Sequence, residues 1–242
     1  MAKSSKTIQI AAVAVIAVVA IAAIGIVFMG GLGADDRSAL EKIKDRGKLI
    51  VGTSAGFPPF EMLNTDAKGG VEGIDMDVAK AIADSLGVEL EIKNYDDFSV
   101  LITALQNGKI DMILAGMTIT DERNESATFS IPYYKADQAL VVLKSNTDIV
   151  NTTSLAGKSV AVNTGTTGQY YVEDNLPDVK EMKSFGTASD TFQALSGNKV
   201  DALIIDSPVA ANYISDTNPY RIVEEIETNE FYGIAMSKNN AE

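Results

Sequence analysis

Residues 104–114, ALQNGKIDMIL, return at 194–204 as ALSGNKVDALI. In both copies Ala-Leu closes a helical stretch, Gly and Asn mark a turn, and Lys, an apolar residue and Asp lead into a short apolar run. That is a helix emptying into a buried strand. A looser echo sets Lys48-Leu49-Ile50-Val51 beside Lys158-Ser159-Val160-Ala161-Val162. Two similar β-α-β lobes are the natural reading, and strands alternating with helices imply mainly parallel sheets.

The segments around the first copy follow the same grammar. Lys48–Thr53 is a buried strand opening into the loop Ser54–Phe60. From Gly73, Ile74, Val78, Ile82 and Leu86 recur every four residues as the apolar stripe of a helix capped by Gly87. Asp75 and Asp77 lie in its first turn, where acids favour the helix dipole, and that accounts for them. A strand over 89–93, a helix over 98–107 and a strand over 110–115 follow. Gln138–Lys144 and Phe231–Ser237 are strand-like, and the second returns the chain to the first lobe. The expected organisation is lobe 1 over 48–137, a hinge strand over 138–144, lobe 2 over 145–222 and a return crossing over 223–242. Two crossings make a hinge on which the lobes close over a small ligand.

Upstream, 35–47 reads as a linker helix with Leu40 and Ile43 on one side and Gly47 ending it. Residues 1–34 are an anchor or signal segment: Lys3 and Lys6 precede an uncharged run, Ile10–Met29, long enough at about 1.5 Å per residue to span roughly 30 Å of hydrocarbon. The run exceeds the core of a cleaved signal, so an uncleaved anchor with everything after Asp35 outside is expected.

Composition narrows the chemistry. A net charge of −13 with scattered Lys and Arg excludes nucleic acid as partner. Zero Cys and zero His remove disulfides, thiolate nucleophiles, the commonest metal ligand and the commonest general base.

Ligands of parallel sheets sit beyond the carboxyl ends of the strands. That rule nominates Ser54–Phe60 and Gly116–Arg123 from one lobe, Asn163–Gly168 and Asp206 from the other. A ligand touching all four lies between lobes. Arg123 follows Thr118 and Thr120, either of which can cap a helix, and guanidinium, hydroxyl and amides together suit a carboxylate. Arg123 pairs otherwise with Asp121 or Glu125 on the helix surface. Asp206 ends the apolar strand Ala202–Ile205 and is either the partner of an ammonium group or the N-cap of the helix entered by Pro208, with Ser207 as rival cap. Phe57, Phe60 and Phe98 wall a pocket or belong to the core. Thr164–Gly168 lacks the Lys of a phosphate-binding loop.

Gly73-Ile-Asp-Met-Asp-Val78, Phe57-Pro-Pro-Phe60, Ala115–Arg123, Phe129-Ser-Ile-Pro-Tyr-Tyr134 and Phe231-Tyr-Gly-Ile-Ala235 together resemble the extracellular solute-binding proteins of the polar amino-acid uptake type. These include the glutamine, histidine and lysine/arginine/ornithine binding proteins. The resemblance runs from about Lys48 to Lys238. It implies an α/β, two-lobed periplasmic-binding-protein-like fold of type II, and a monomeric extracytoplasmic component of an amino-acid ABC transporter. Such a protein serves a permease and an ATPase, and it has no catalysis, cofactor or metal. By the same resemblance Arg123, helped by Thr118 and Thr167, holds the ligand carboxylate, and Gly116 and Asp206 take the ammonium. Phe57 and Phe98 sandwich the ligand side chain, and Ser54, Asn163 and Thr166 line the rest.

Relatives continue past the Phe231 strand with helices packed on the first lobe, so the chain is expected to stop short of them. Relatives that bind arginine, lysine or histidine often carry an aspartate where Ser54 stands, and the pocket positions contain no acid to meet a cationic head. An uncharged polar ligand such as glutamine is therefore expected, unless Glu61 or Asp97 turns inward. Two rivals share the fold. One is a dehydratase of aromatic amino-acid synthesis, for which Glu61 is the one acid available, although it reads as an exposed carboxylate. The other is a sensory ectodomain, which needs a further membrane pass and an output domain.

Overall fold

The computed structural model describes residues 37–238. The expected membrane segment, 10–29, lies outside the described residues; among these, no helix is long and apolar enough to cross a membrane. Helix α1 (Ala39–Arg46) buries Ile43 against Leu49 and Val51, and Gly47, at φ 70°, turns the chain into β1 (Lys48–Thr53).

Beyond the two-stranded ribbon of β2 (Met62–Leu63) and β3 (Val71–Glu72), the chain builds two five-stranded mixed sheets, as two lobes require. In the first, β1 is parallel to β4 (Glu89–Asn94) and β5 (Met112–Ile113). Strand β12 (Ala235–Ser237) runs antiparallel between β5 and β6 (Ala127–Phe129), giving the order β4-β1-β5-β12-β6. In the second, β8 (Ser159–Asn163) is parallel to β9 (Glu181–Phe185) and β10 (Ala202–Asp206). There β7 (Tyr134–Leu143) is antiparallel to both β10 and β11 (Tyr220–Tyr232), and the order is β11-β7-β10-β8-β9. The chain crosses between sheets twice, through 130–133 and through 233–234.

The strand expected as a hinge over 138–144 is corrected: residues 138–143 are the C-terminal half of β7, and 138–141 are paired with both β10 and β11. Ala139, Leu140, Val141 and Val142 are each fully buried there. An unbroken apolar run needs cover on both faces, which a central strand has and a hinge lacks. The strand expected over 110–115 is assigned only at 112–113, although Asp111 and Leu114 donate their N–H groups to Ile50 and Gly52 of β1.

The sequence echo is a geometric one. Lys109 N–H donates to Ala104 O of α3 (Leu101–Gln106) and Lys199 N–H to Ala194 O of α6 (Ala188–Ser196), both at 2.9 Å. Asp111 Oδ2 accepts from Ile50 N–H and Asp201 Oδ2 from Ser159 N–H, both at 2.7 Å. Lys93 and Lys183 donate to the carbonyls of Lys109 and Lys199. In each lobe the aspartate holds the first strand by its side chain, where a main-chain ladder alone would leave the register free to slip.

Helix α2 (Ile74–Leu86) faces the first sheet with Met76, Ala79 and Ala83 and ends on Gly87 at φ 70°. Its N-cap, Gly73, has no side chain to satisfy the first N–H groups. Pro59 O and Phe60 O do so instead, accepting from Ile74 and Asp75 at 3.0 Å each. The loop after β1 is thus clamped to the helix, and Gly73 sits at φ 136° with the place of a Cβ 2.2 Å from Phe60 O. Gly73→Ala is expected to cost about 2–4 kcal/mol, from a backbone region nearly closed to other residues and a clash with main chain that cannot swing aside. Urea unfolding checks this through a lowered midpoint.

Candidate functional site

The loop after β1 brings Ser54, Phe57, Phe60 and Glu61 to the edge of the first lobe. Gly56 and Phe57 donate their N–H groups to Glu61 O, closing a tight turn that drives the Glu61 side chain inward. It is 1% exposed, and neither carboxylate oxygen has a hydrogen-bond partner. The exposed Glu61 expected from the sequence is corrected: this turn, clamped to α2, leaves its side chain no route to solvent. Phe57 lies over Gly116, whose φ is 52° and whose missing Cβ would stand 2.6 Å from the ring. Asp75 of α2 does more than favour the helix dipole: fully buried, it accepts from Gly116 N–H at 2.8 Å and from Tyr133 Oη at 2.9 Å.

Helix α4 (Asp121–Ser126) is capped by Thr120, whose hydroxyl accepts from Arg123 N–H at 3.1 Å. Arg123 is buried. It donates from Nη1 to Thr118 O at 2.7 Å and from Nη2 to Gly165 O at 2.9 Å, and its guanidinium lies 5.4 Å from the centre of the Phe98 ring. It pairs with neither Asp121 nor Glu125, which are exposed, nor with any other carboxylate within ion-pair distance among the described residues. Asp97 does not turn in; its carboxylate caps the short helix Phe98–Val100 through Ser99 N–H.

From the second lobe, Asn163 ends β8 and donates to Gly186 O at 3.2 Å, and Thr166 caps α5 (Thr167–Asn175). Asp206 occupies the N-cap position of α7 (Ser207–Tyr213) yet makes no capping bond. Its carboxylate accepts from Tyr232 Oη and, at 3.2 Å, from Gln138 Nε2. The lobes are shut on one another. Besides Arg123 to Gly165, Phe98 N–H donates to Gly186 O and Tyr213 Oη to Gly56 O.

All ten residues singled out in the sequence, Ser54, Phe57, Phe98, Gly116, Thr118, Arg123, Asn163, Thr166, Thr167 and Asp206, line one cavity, with Glu61 and Ala188. The expectation that this lining holds no further acid is overturned by Glu61. Sequence reasoning also missed Glu230, a buried carboxylate on β11 behind Thr118 and Thr167, and the amide of Gln138 that joins it to Asp206.

The electrostatics are one-sided. Burial pushes Asp206 up to about 7, aided by Glu230 and opposed by Tyr232, Gln138 and Arg123. Burial likewise lifts Asp75 to about 6, against the bonds from Gly116 and Tyr133. Glu61 rises well above the carboxylate range, through burial first and then Asp75 and Asp206. Arg123 is pulled down by burial, yet a guanidinium keeps its proton. The cavity therefore offers a fixed positive group, a facing acid and a second acid without a partner. Among the described residues no cluster of three or more acids could hold a metal ion.

The sequence from 49 to 241 matches the model of the bacterial extracellular solute-binding proteins, family 3. A glutamine-binding protein of Geobacillus stearothermophilus is 36% identical over 205 residues, 83% of this chain and 77% of the relative. Among solved structures, a single-residue mutant of arginine-bound ArgBP from T. maritima superposes with a TM-score of 0.78 at 39% identity, covering 83% of this chain and 92% of that one. The ancestral amino acid-binding protein AncCDT-1, described as a precursor of cyclohexadienyl dehydratase, superposes at 0.76 with 36% identity, covering 83% and 86%. With a family match over most of its length and two lobes shut on a common cavity, this chain belongs to the bacterial extracellular solute-binding proteins, family 3.

Proposed function

We propose that the chain captures a free amino acid with a cationic side chain between its lobes and hands it to a permease driven by an ATPase. It works outside the cytoplasm, tethered through residues 10–29. The observation that carries this reading is that Arg123 and Asp206, one from each lobe, line the same cavity. A zwitterion brings a carboxylate to the first and an ammonium to the second. Arg123 has no carboxylate within ion-pair distance among the described residues, and a buried charge without a partner costs several kcal/mol.

The choice of a cationic side chain rests on Glu61. Relatives bind glutamine or arginine by name and do not decide it. A buried carboxylate with both oxygens unpartnered, opening on the cavity, suits a guanidinium or ammonium head, and the Phe57 and Phe98 rings flank the methylenes of such a side chain. This replaces the uncharged ligand expected from the sequence. A dehydratase reading has Glu61 as its proton donor and the ancestral precursor as its relative. It is disfavoured by charge: a substrate with two carboxylates would meet one cation and two acids. No turnover of prephenate or arogenate is expected.

A thermal-shift screen of the twenty amino acids tests the reading first, with arginine or lysine expected to raise the melting temperature most. Arg123→Ala and Asp206→Ala are each expected to weaken binding by about 2 to 5 kcal/mol, roughly 30- to several-thousand-fold, with the fold retained by circular dichroism. Glu61→Gln is expected to weaken arginine by about 10- to 100-fold, as the loss of a charged hydrogen bond implies, while leaving glutamine within about threefold.

The pH dependence has a definite sign. Asp206 keeps its proton to about 7 in the empty site, whereas an unfolded aspartate loses it near 4. Between about 4 and 7 the folded empty protein thus holds the extra proton, so the stability Asp206 contributes is full below about 4 and lost as pH rises through about 7. An ammonium ligand needs the ionised form. Its affinity is expected to rise with pH by up to about tenfold per unit below 7 and to level off above. Titration calorimetry from pH 5 to 8.5 checks this; a flat profile removes Asp206 as the ammonium partner.

A further inference from the structure

Glu230 stands where β11 resumes its pairing with β7. The register of β11 on β7 slips between Ile226 and Glu230, Asn229 takes φ 53°, and Asp137 Oδ1 accepts from both Thr228 and Asn229 N–H. The irregularity buries Glu230 between exposed neighbours. Its Oε2 accepts from Thr118 Oγ1 at 2.8 Å and from Thr167 Oγ1 at 2.5 Å, and its Oε1 accepts from Gln138 Nε2 at 3.1 Å. Thr118 and Thr167 line the cavity from opposite lobes, so one carboxylate oxygen ties both walls together.

A threonine hydroxyl has one hydrogen and two lone pairs. Both hydrogens are spent on Glu230, so each side-chain oxygen can offer the cavity acceptor capacity only. The amide of Gln138 cannot reverse this, because its NH2 already serves Glu230, Asp206 and Thr167, and a flipped amide would set its oxygen against two carboxylates. The main chain of the same residues offers the opposite polarity. Thr118 faces Tyr232 as a non-hydrogen-bonded pair, with Ile119 and Gly233 taking the flanking bonds, and Thr167 is the first residue of α5. The N–H groups of both are therefore free of ladder and helix partners.

We propose that Glu230 is a positioning residue that fixes the donor and acceptor sense of the head-group site, holding the Thr118 and Thr167 hydroxyls as acceptors for the ligand ammonium. Their N–H groups and Arg123 remain as donors for its carboxylate. Without the Glu230 carboxylate the hydroxyls rotate freely, and the site no longer tells the two ends of a zwitterion apart.

The inference rests on the amino-acid reading above, and L-arginine is the probe. Calorimetric titration is run on the full chain, on E230Q, on T118V/T167V and on the triple variant, with thermal unfolding of each without ligand. E230Q is expected to weaken arginine at least tenfold, and T118V/T167V likewise. In the T118V/T167V background, E230Q is expected to add less than threefold, because Glu230 acts through hydroxyls that are then gone. A merely structural Glu230 would keep its full effect there, and that outcome overturns the proposal. So does E230Q binding within threefold of the parent. If E230Q does not fold, T118V/T167V decides, since parental affinity in that variant is incompatible with the proposal. Failure of the parent to bind any of the twenty amino acids defeats the functional reading itself and is seen before any variant is made.

Discussion

Arg123 carries a charge it cannot shed in a place that water barely reaches. Its guanidinium is held by two backbone carbonyls, one from each lobe, and by the face of Phe98. Carbonyl dipoles and a ring orient a cation without neutralising it. Two consequences follow. The shut cleft is incomplete without an anion, and the Gly165 contact makes the charge itself part of what draws the lobes together. Asp206 answers from the opposite wall, and the remaining polar groups of the cavity settle which end of a ligand goes where.

That geometry depends on strand ends. The two echoed segments place β5 and β10 at equivalent points of their sheets, and each is locked to its neighbour by an aspartate that reaches the main chain of the strand beside it. A register slip in either lobe would move Gly116 or Asp206 away from the cleft. Pro59 and Phe60 carbonyls cap α2 and thereby fix the Phe57–Glu61 turn. The site is accurate because its loops are short and tied to rigid elements, which keeps the cost of ordering them low when a ligand binds.

Much of this was legible in the sequence. The echo of 104–114 at 194–204 showed two lobes, and the rule of strand ends gathered ten residues that the fold brings round one cavity. What stayed hidden were the acids. Glu61 follows Phe-Pro-Pro-Phe, and nothing in the string says that the turn folds back on itself and carries the side chain inside. Asp75 had a sufficient local explanation at a helix N-terminus, and that explanation masked its bond to Gly116. Glu230 lies in Glu224-Glu225-Ile226-Glu227-Thr228-Asn229-Glu230, a run polar enough to read as solvent-facing throughout. Its burial depends on a register slip and an Asn at positive φ, and strand alternation cannot foresee either. The hinge was misplaced for a related reason: Ala139–Val142 is apolar because it is central, and two-sided burial looks the same in sequence whichever sheet supplies it.

The acids share a thermodynamic consequence. Glu61, Asp75 and Asp206 all hold protons more tightly than they would in water, and burial is the first cause for each. Ionising Glu61 or Asp206 in the empty cleft therefore costs free energy. On the proposed reading a cationic amino acid removes the cost twice, by supplying an ammonium to Asp206 and a cationic head to Glu61, while its carboxylate satisfies Arg123. Ligand binding then stabilises the closed form by mass action over and above the bonds it makes, because it also lifts an electrostatic penalty the protein carries alone. Closure and recognition are in this sense one event. On that reading the unpartnered acid that weakens the empty site makes the loaded one selective.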